Sequence, residues 1–193
     1  MVEFRGMDSF SGPPYYTLLS MGFDDCDAFM LTVRRDGDKE VYKQNIALMM
    51  QDLRPYRLKC RHDLRWPGIE ETPEVFEKGR RYDVCFYRCD MAAYYVLEAI
   101  NGFFEWKYPE HPEHLCFFRR GKIWLTSCAE TKLVRIENED ETDLFVLKRF
   151  CDWDHAHVLP QRESYYEDGI NDVTRPEMPH EAIQRIKNEG ETD

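Results

Sequence analysis

The chain has 193 residues, 37 of them acidic against 26 basic, for a net charge of −11 and a pI near 5.1. That balance sets it apart from the basic domains that hold nucleic acid by charge, and no apolar run approaches the ~18 residues that a membrane span needs. With 42% hydrophobic residues, 10 glycines and 10 prolines, it has the composition of an ordinary globular protein, neither fibrous nor low-complexity.

The charge is unevenly placed. Residues 135–193 hold sixteen acidic and seven basic residues, a net of −9, which leaves only −2 for residues 1–134. An acidic surface stays solvated and attracts basic partners. The first six residues carry no hydrophobic leader, so a cytoplasmic setting is the expectation. The seven cysteines (Cys26, Cys60, Cys85, Cys89, Cys116, Cys128, Cys151) are odd in number and fit no disulfide framework. They are expected to be reduced thiols acting as small apolar groups.

In chain order, residues 9–16 read as a loop, because Gly12, Pro13 and Pro14 interrupt regular structure. Residues 28–35 alternate, with Phe29, Leu31 and Val33 on one face, and predict a half-buried strand. After a turn at Asp36-Gly37, Asp38 can cap a helix to about Leu53, where Arg54-Pro55 ends it. Residues 56–62 alternate again. Tyr56, Leu58 and Cys60 are expected on one face, and Arg57, Lys59 and Arg61 on the other, with Arg54 and Arg65 nearby. Residues 63–80 read as a loop with one helical turn at 73–78. Residues 82–88 predict a strand. Asp90 caps a helix over 91–101, and Asn101-Gly102 is its stop, with Gly102 left-handed. Only Glu98 and Asn101 are strongly polar in that helix, which predicts burial on most sides.

Residues 115–119 and 123–128 predict a β-hairpin about Arg120-Gly121, and 133–136 a third strand. A two-residue turn sets Cys116 opposite Leu125 and His114 opposite Ser127, so that Cys128 points away from Cys116. Thr142 caps a helix to about Phe150. Residues 151–178 look irregular, Pro179 opens a short helix over 180–188, and 190–193 is a tail. The mixed order of strands and helices predicts an α+β fold with a single antiparallel or mixed sheet and a central hairpin. Residues 1–158 form one domain in this reading, and 159–193 an acidic extension with a short helix.

Chemical motifs are scarce. There is no GxSxG, no HExxH and no glycine-rich phosphate loop. Cys85 and Cys89 are one residue too far apart for a CxxC pair. A Cys/His nucleophile needs a stabilised thiolate beside a base, and Cys128, Glu130 and His114 are the nearest approach to one. Whether His111 with His114, or His155 with His157, bind metal stays open, and neither set supplies a defined site with converging ligands; no metal or cofactor is assigned. The Arg57, Lys59 and Arg61 stripe suits either an acidic partner or the chain's own acidic third. Phe103, Phe104, Trp106 and Tyr108 form the segment expected to face a partner, since aromatics dominate interface hot spots.

The run Phe86-Tyr87-Arg88-Cys89-Asp90, the helix, Trp106, Pro112-Glu113-His114-Leu115, Cys116-Phe117-Phe118-Arg119 and Gly121-Lys122-Ile123-Trp124-Leu125 resembles a family of small bacterial proteins with no assigned activity. In that family a strand and helix lead into such a hairpin. Where the family pattern places a His-Glu pair after the hairpin, this chain has Ala129-Glu130. The resemblance implies an α+β fold and a bacterial cytosolic setting. Some proteins of this kind sit beside toxin genes as immunity partners, which is an association and not a mechanism. The expectation is therefore a non-enzymatic protein-binding module, an immunity-type inhibitor of a basic partner being one form of it. The alternatives are a hydrolase or transferase at Cys128, Glu130 and His114, and a structural subunit of a homo-oligomer.

Overall fold

A computed structural model of the chain describes residues 1–6, 10–35, 45–63, 66–67 and 81–161. The strands are β1 (Val2–Arg5), β2 (Ala28–Arg34), β3 (Arg57–Asp63), β4 (Tyr82–Arg88), β5 (Glu113–Arg119), β6 (Lys122–Cys128), β7 (Leu133–Ile136) and β8 (Ala156–Val158). They form one eight-stranded sheet in the order β3-β4-β2-β5-β6-β7-β1-β8, and every pairing is antiparallel. Among the described residues four α-helices join them: α1 (Pro13–Asp25), α2 (Ala47–Asp52), α3 (Met91–Glu98) and α4 (Glu141–Phe150). The α+β class holds, but the hairpin is one part of a larger sheet rather than its frame. The expected turn at 36–37, the start of the 38–53 helix, Arg65, the 73–78 turn and the 180–188 helix lie outside the described residues.

Cross-strand partners share a face of a sheet, and this sorts the core in two. The helices cover one face, where Phe29, Leu31, Tyr87, Phe117, Val134 and Ile136 meet Leu18 and Leu19 of α1, Leu97 of α3 and Leu147 of α4. Met30, Val84, Phe86, Cys116 and Phe118 form a second cluster with Trp66 on the other face. β2 is thus buried on both faces, not half-buried as its alternation suggested.

Several local readings need correction. Pro13 and Pro14 do not block structure. They occupy the first turn of α1, where a missing N–H costs nothing. Gly22 lets α1 lie against the sheet, because a Cβ there would stand 2.8 Å from the Phe117 ring. Asp90 caps α3 as expected, its carboxylate accepting from the Ala92 N–H at 3.0 Å. Yet α3 buries only Ala93 and Leu97, while Met91 and Tyr95 are exposed. Gly102 is extended rather than left-handed. It pairs with Ser11, and a Cβ would come within 2.9 Å of the Ser11 side chain. α4 starts one residue before the expected cap, with Asp140 and Asp143 forming a reciprocal capping box. β8 falls within a stretch read as irregular.

Two ion pairs with buried carboxylates tie this part of the fold together. Arg119 donates to both carboxylate oxygens of buried Asp143, at 2.8 and 3.0 Å, and the Trp124 indole N–H donates to the same group at 3.2 Å. Glu3 accepts from Arg135 at 2.9 Å and from Arg5 at 2.7 Å. Burial alone would raise the Glu3 carboxyl, but these two hydrogen bonds outweigh it and hold the group below its usual value.

Candidate functional site

The hairpin register differs from the simple two-residue turn. Arg119 pairs with Lys122 and Phe118 with Ile123, and then the register shifts so that Phe117 pairs with Leu125 and Cys116 with Thr126. The extra residue, Trp124, is a bulge. Cys116 and Thr126 share a face, their polar atoms 3.8 Å apart, and Cys128 follows two residues on. Cys116 and Cys128 therefore point to the same side of the sheet, the reverse of the expectation.

Two of the three residues of the expected nucleophilic set, Cys128 and His114, are buried. Cys128 is fully buried, and burial pushes its thiol up despite hydrogen bonds involving Thr131 and Glu130. His114 sits in a second bulge, where 114 and 115 together oppose Leu31 and His114 takes a left-handed φ of 57°. The bulge aims the ring at Thr32, with Nδ1 2.9 Å from its hydroxyl oxygen, and against the rings of Trp66 and Tyr82. The Thr32 hydroxyl donates to the Glu113 carbonyl at 3.1 Å, so Nδ1–H is assigned as the donor to Thr32. Complete burial lowers the His114 pKa to about 4. A raised thiol and a neutral imidazole lack the charge separation that activates a cysteine. Cys128 interacts with Thr131 and Glu130, His114 with Thr32, Trp66 and Tyr82. Glu130 lies exposed on the turn after β6.

The aromatic exit divides into core and surface. Phe103 is buried against Tyr15 and Phe10, with ring centroids at 4.9 and 5.7 Å, and Trp106 is buried too. These two are core, not partner-facing, because the close approach at Gly102 turns the 3₁₀ segment Phe103–Glu105 inward. Phe104 and Tyr108 remain half-exposed, Tyr108 beneath the Arg34 guanidinium at 5.0 Å. The exit meets the β6–β7 turn at an open pocket of about 310 Å³, lined by Phe104, Glu105, Lys107, Ala129 and Lys132 with Phe10, Ser11 and Gly102. Two lysines, a carboxylate, a hydroxyl and two rings line it, and no cysteine or histidine does.

Among the described residues no three His, Cys, Asp or Glu side chains gather as a metal site would require. His111 Nδ1 lies 2.9 Å from the Glu105 carbonyl, and His155 Nδ1 lies 2.8 Å from the Asp152 carboxylate. His157 is exposed on β8, opposite Glu3.

The basic stripe is also re-sorted. β3 carries a bulge at Leu58, so Arg57 pairs with Tyr87 on the helix side while Lys59 and Arg61 lie on the far side with Phe86 and Val84. Arg61 sits over the Phe86 ring. Arg57 and Lys59 form no ion pair with any described residue; most of the acidic third with which they were expected to pair, 162–193, lies outside the described residues. Cys60 is bonded to Cys85 directly across the ladder, which corrects the expectation of seven reduced thiols. The other five carry no disulfide.

Sequence reasoning missed the segment from α4 to β8. Phe145 is 63% exposed and Val158 67%, and Phe150 and Leu159 are exposed as well. Exposed Asp140, Glu141, Asp152 and Asp154 flank them. The signal was present: Leu144, Leu147 and Cys151 at helical spacing turn inward and leave Phe145 outside. No described helix is long and apolar enough to cross a membrane. Compared with known proteins, the chain matches no family model, no curated protein and no solved structure.

Proposed function

We propose that the chain is a protein-binding module whose contact surface is the α4–β8 segment, and that its partner is basic. The observation that carries this is the concentration of exposed large apolar side chains there: Phe145, Phe150, Val158 and Leu159 fall within fifteen residues, among four exposed carboxylates. Exposed apolar groups rimmed by polar residues mark interaction sites; exposed Lys148 and Arg149 lie in the same stretch, but the carboxylates outnumber them, and the net negative charge steers a basic partner in. The buried thiol of Cys128 and the buried, neutral His114 favour binding over catalysis. An immunity-type inhibitor of a basic protein is one form this role takes. A cytoplasmic setting belongs to the same proposal. The Cys60–Cys85 bond pulls against it, and alkylating thiols at the moment of lysis, then counting them by mass, decides the point.

The test is a paired pull-down with the natural chain and a Phe145→Ser, Phe150→Ser variant, washed at low and high salt. The expected result is a basic protein kept by the natural chain, lost by the variant and released by salt. Capture that ignores both the substitutions and the salt contradicts the proposal. Light scattering across concentration reads the alternative, since a homo-oligomer that the same substitutions dissolve makes the segment a self-interface.

A further inference from the structure

We infer that β3 is a second docking edge, one that accepts an acidic extended segment of another protein as an added strand. This rests on observations at the opposite end of the sheet from α4–β8 and stands or falls separately.

β3 is the terminal strand of the sheet, and among the described residues nothing pairs with its outer side. Arg57, Leu58, Lys59, Cys60 and His62 are all exposed, Leu58 at 40%. An edge strand presents a row of unpaired N–H and C=O groups, which is a template for another chain. The bulge at Leu58 distributes the cations, placing Arg57 above the sheet and Lys59 and Arg61 below it. Arg54 is exposed just before the strand. An added strand therefore meets positive charge on both of its faces, while Leu58 offers an apolar contact beside them. The Cys60–Cys85 bond pins the strand to β4, so the edge is presented in one position rather than frayed.

Charge selects the occupant. A second copy of β3 would set Arg57, Lys59 and Arg61 against their own kind, and like charges on neighbouring strands destabilise the pairing. A nucleic acid would face a net charge of −11 and has no amide ladder to extend. A peptide strand with alternating carboxylates satisfies both the backbone and the cations, the mode in which main-chain bonds give affinity and side chains give selectivity.

The experiment is fluorescence anisotropy with short labelled peptides: alternating Glu/Val, alternating Lys/Val, and the Glu/Val peptide N-methylated at alternate residues. The expected result is saturable binding of the Glu/Val peptide alone, weakened at least about tenfold by Arg57→Glu with Lys59→Glu. The variant's fold is checked by its circular dichroism and melting curve. Equal binding of the N-methylated peptide overturns strand addition, because that peptide keeps the charge and lacks the donors. Tighter binding of a single-stranded oligonucleotide, or no binding of the Glu/Val peptide, overturns the choice of occupant.

Discussion

The two edges of the sheet are built in opposite ways. At the β8 edge a three-residue strand is attached through β1, and the neighbouring α4 is anchored by the buried Arg119–Asp143 pair. At the β3 edge a seven-residue strand is attached by its ladder and a covalent bond to Cys85. The first edge is acidic with exposed aromatic and aliphatic groups. The second is basic, with cations on both faces. A single sheet thus offers two surfaces of opposite charge, and each is held by a different kind of interaction that can be broken separately.

Breaking the Arg119–Asp143 pair has the largest expected effect. Asp143→Ala leaves the Arg119 guanidinium only its longer contacts to Asp25 and Asp140, at 3.5 and 3.6 Å, and removes the acceptor for the Trp124 indole and half of the α4 capping box. Loss of one partner of such a pair costs about 4 kcal/mol. Chemical denaturation measures this, and hydrogen exchange is expected to quicken over α4 more than over β3. Reducing the Cys60–Cys85 bond, or Cys60→Ser, does the reverse. It opens a link across 25 residues of sequence and costs about 3 kcal/mol on chain-entropy grounds, with faster exchange over β3 and little change over α4.

Acid tests the region between the edges. The folded pKa of His114 is depressed to about 4 from an ordinary 6.5. The unfolded chain therefore binds a proton that the folded chain refuses as pH falls below about 6.5. Stability from this group is complete above that value and declines until about pH 4, by roughly 3 kcal/mol at most. His114→Gln is expected to flatten the stability profile across that window, which thermal melts at several pH values measure. The smallest effect on stability belongs to Phe145→Ser, which touches an exposed side chain and is expected to move the unfolding free energy by no more than about 0.5 kcal/mol, while weakening partner capture.

The contrast between the edges also explains what the sequence made legible. β2, β4 and β7 were readable because their apolar content is local and none of them carries the extra residue of a bulge. β1 and β8 were not, since each is short and finds its partners far away, Val2 opposite both Ile136 and Val158. Two faces were mis-sorted for one reason: bulges at Trp124 and Leu58 add a residue, and a one-residue slip exchanges the faces of a strand. Nothing in residue types announces such a slip. Phe103 and Trp106 were expected outside because aromatics favour interfaces, but the contact at Gly102 that turns them inward is tertiary. The exposed Phe145 was legible, from the inward spacing of its helical neighbours.

The most direct measurement of the central claim is hydrogen exchange of the chain alone and with the basic protein it captures. Exchange is expected to slow from Glu141 to Leu159 and to stay unchanged over β3. Protection confined to β3, or absent from both edges, contradicts it.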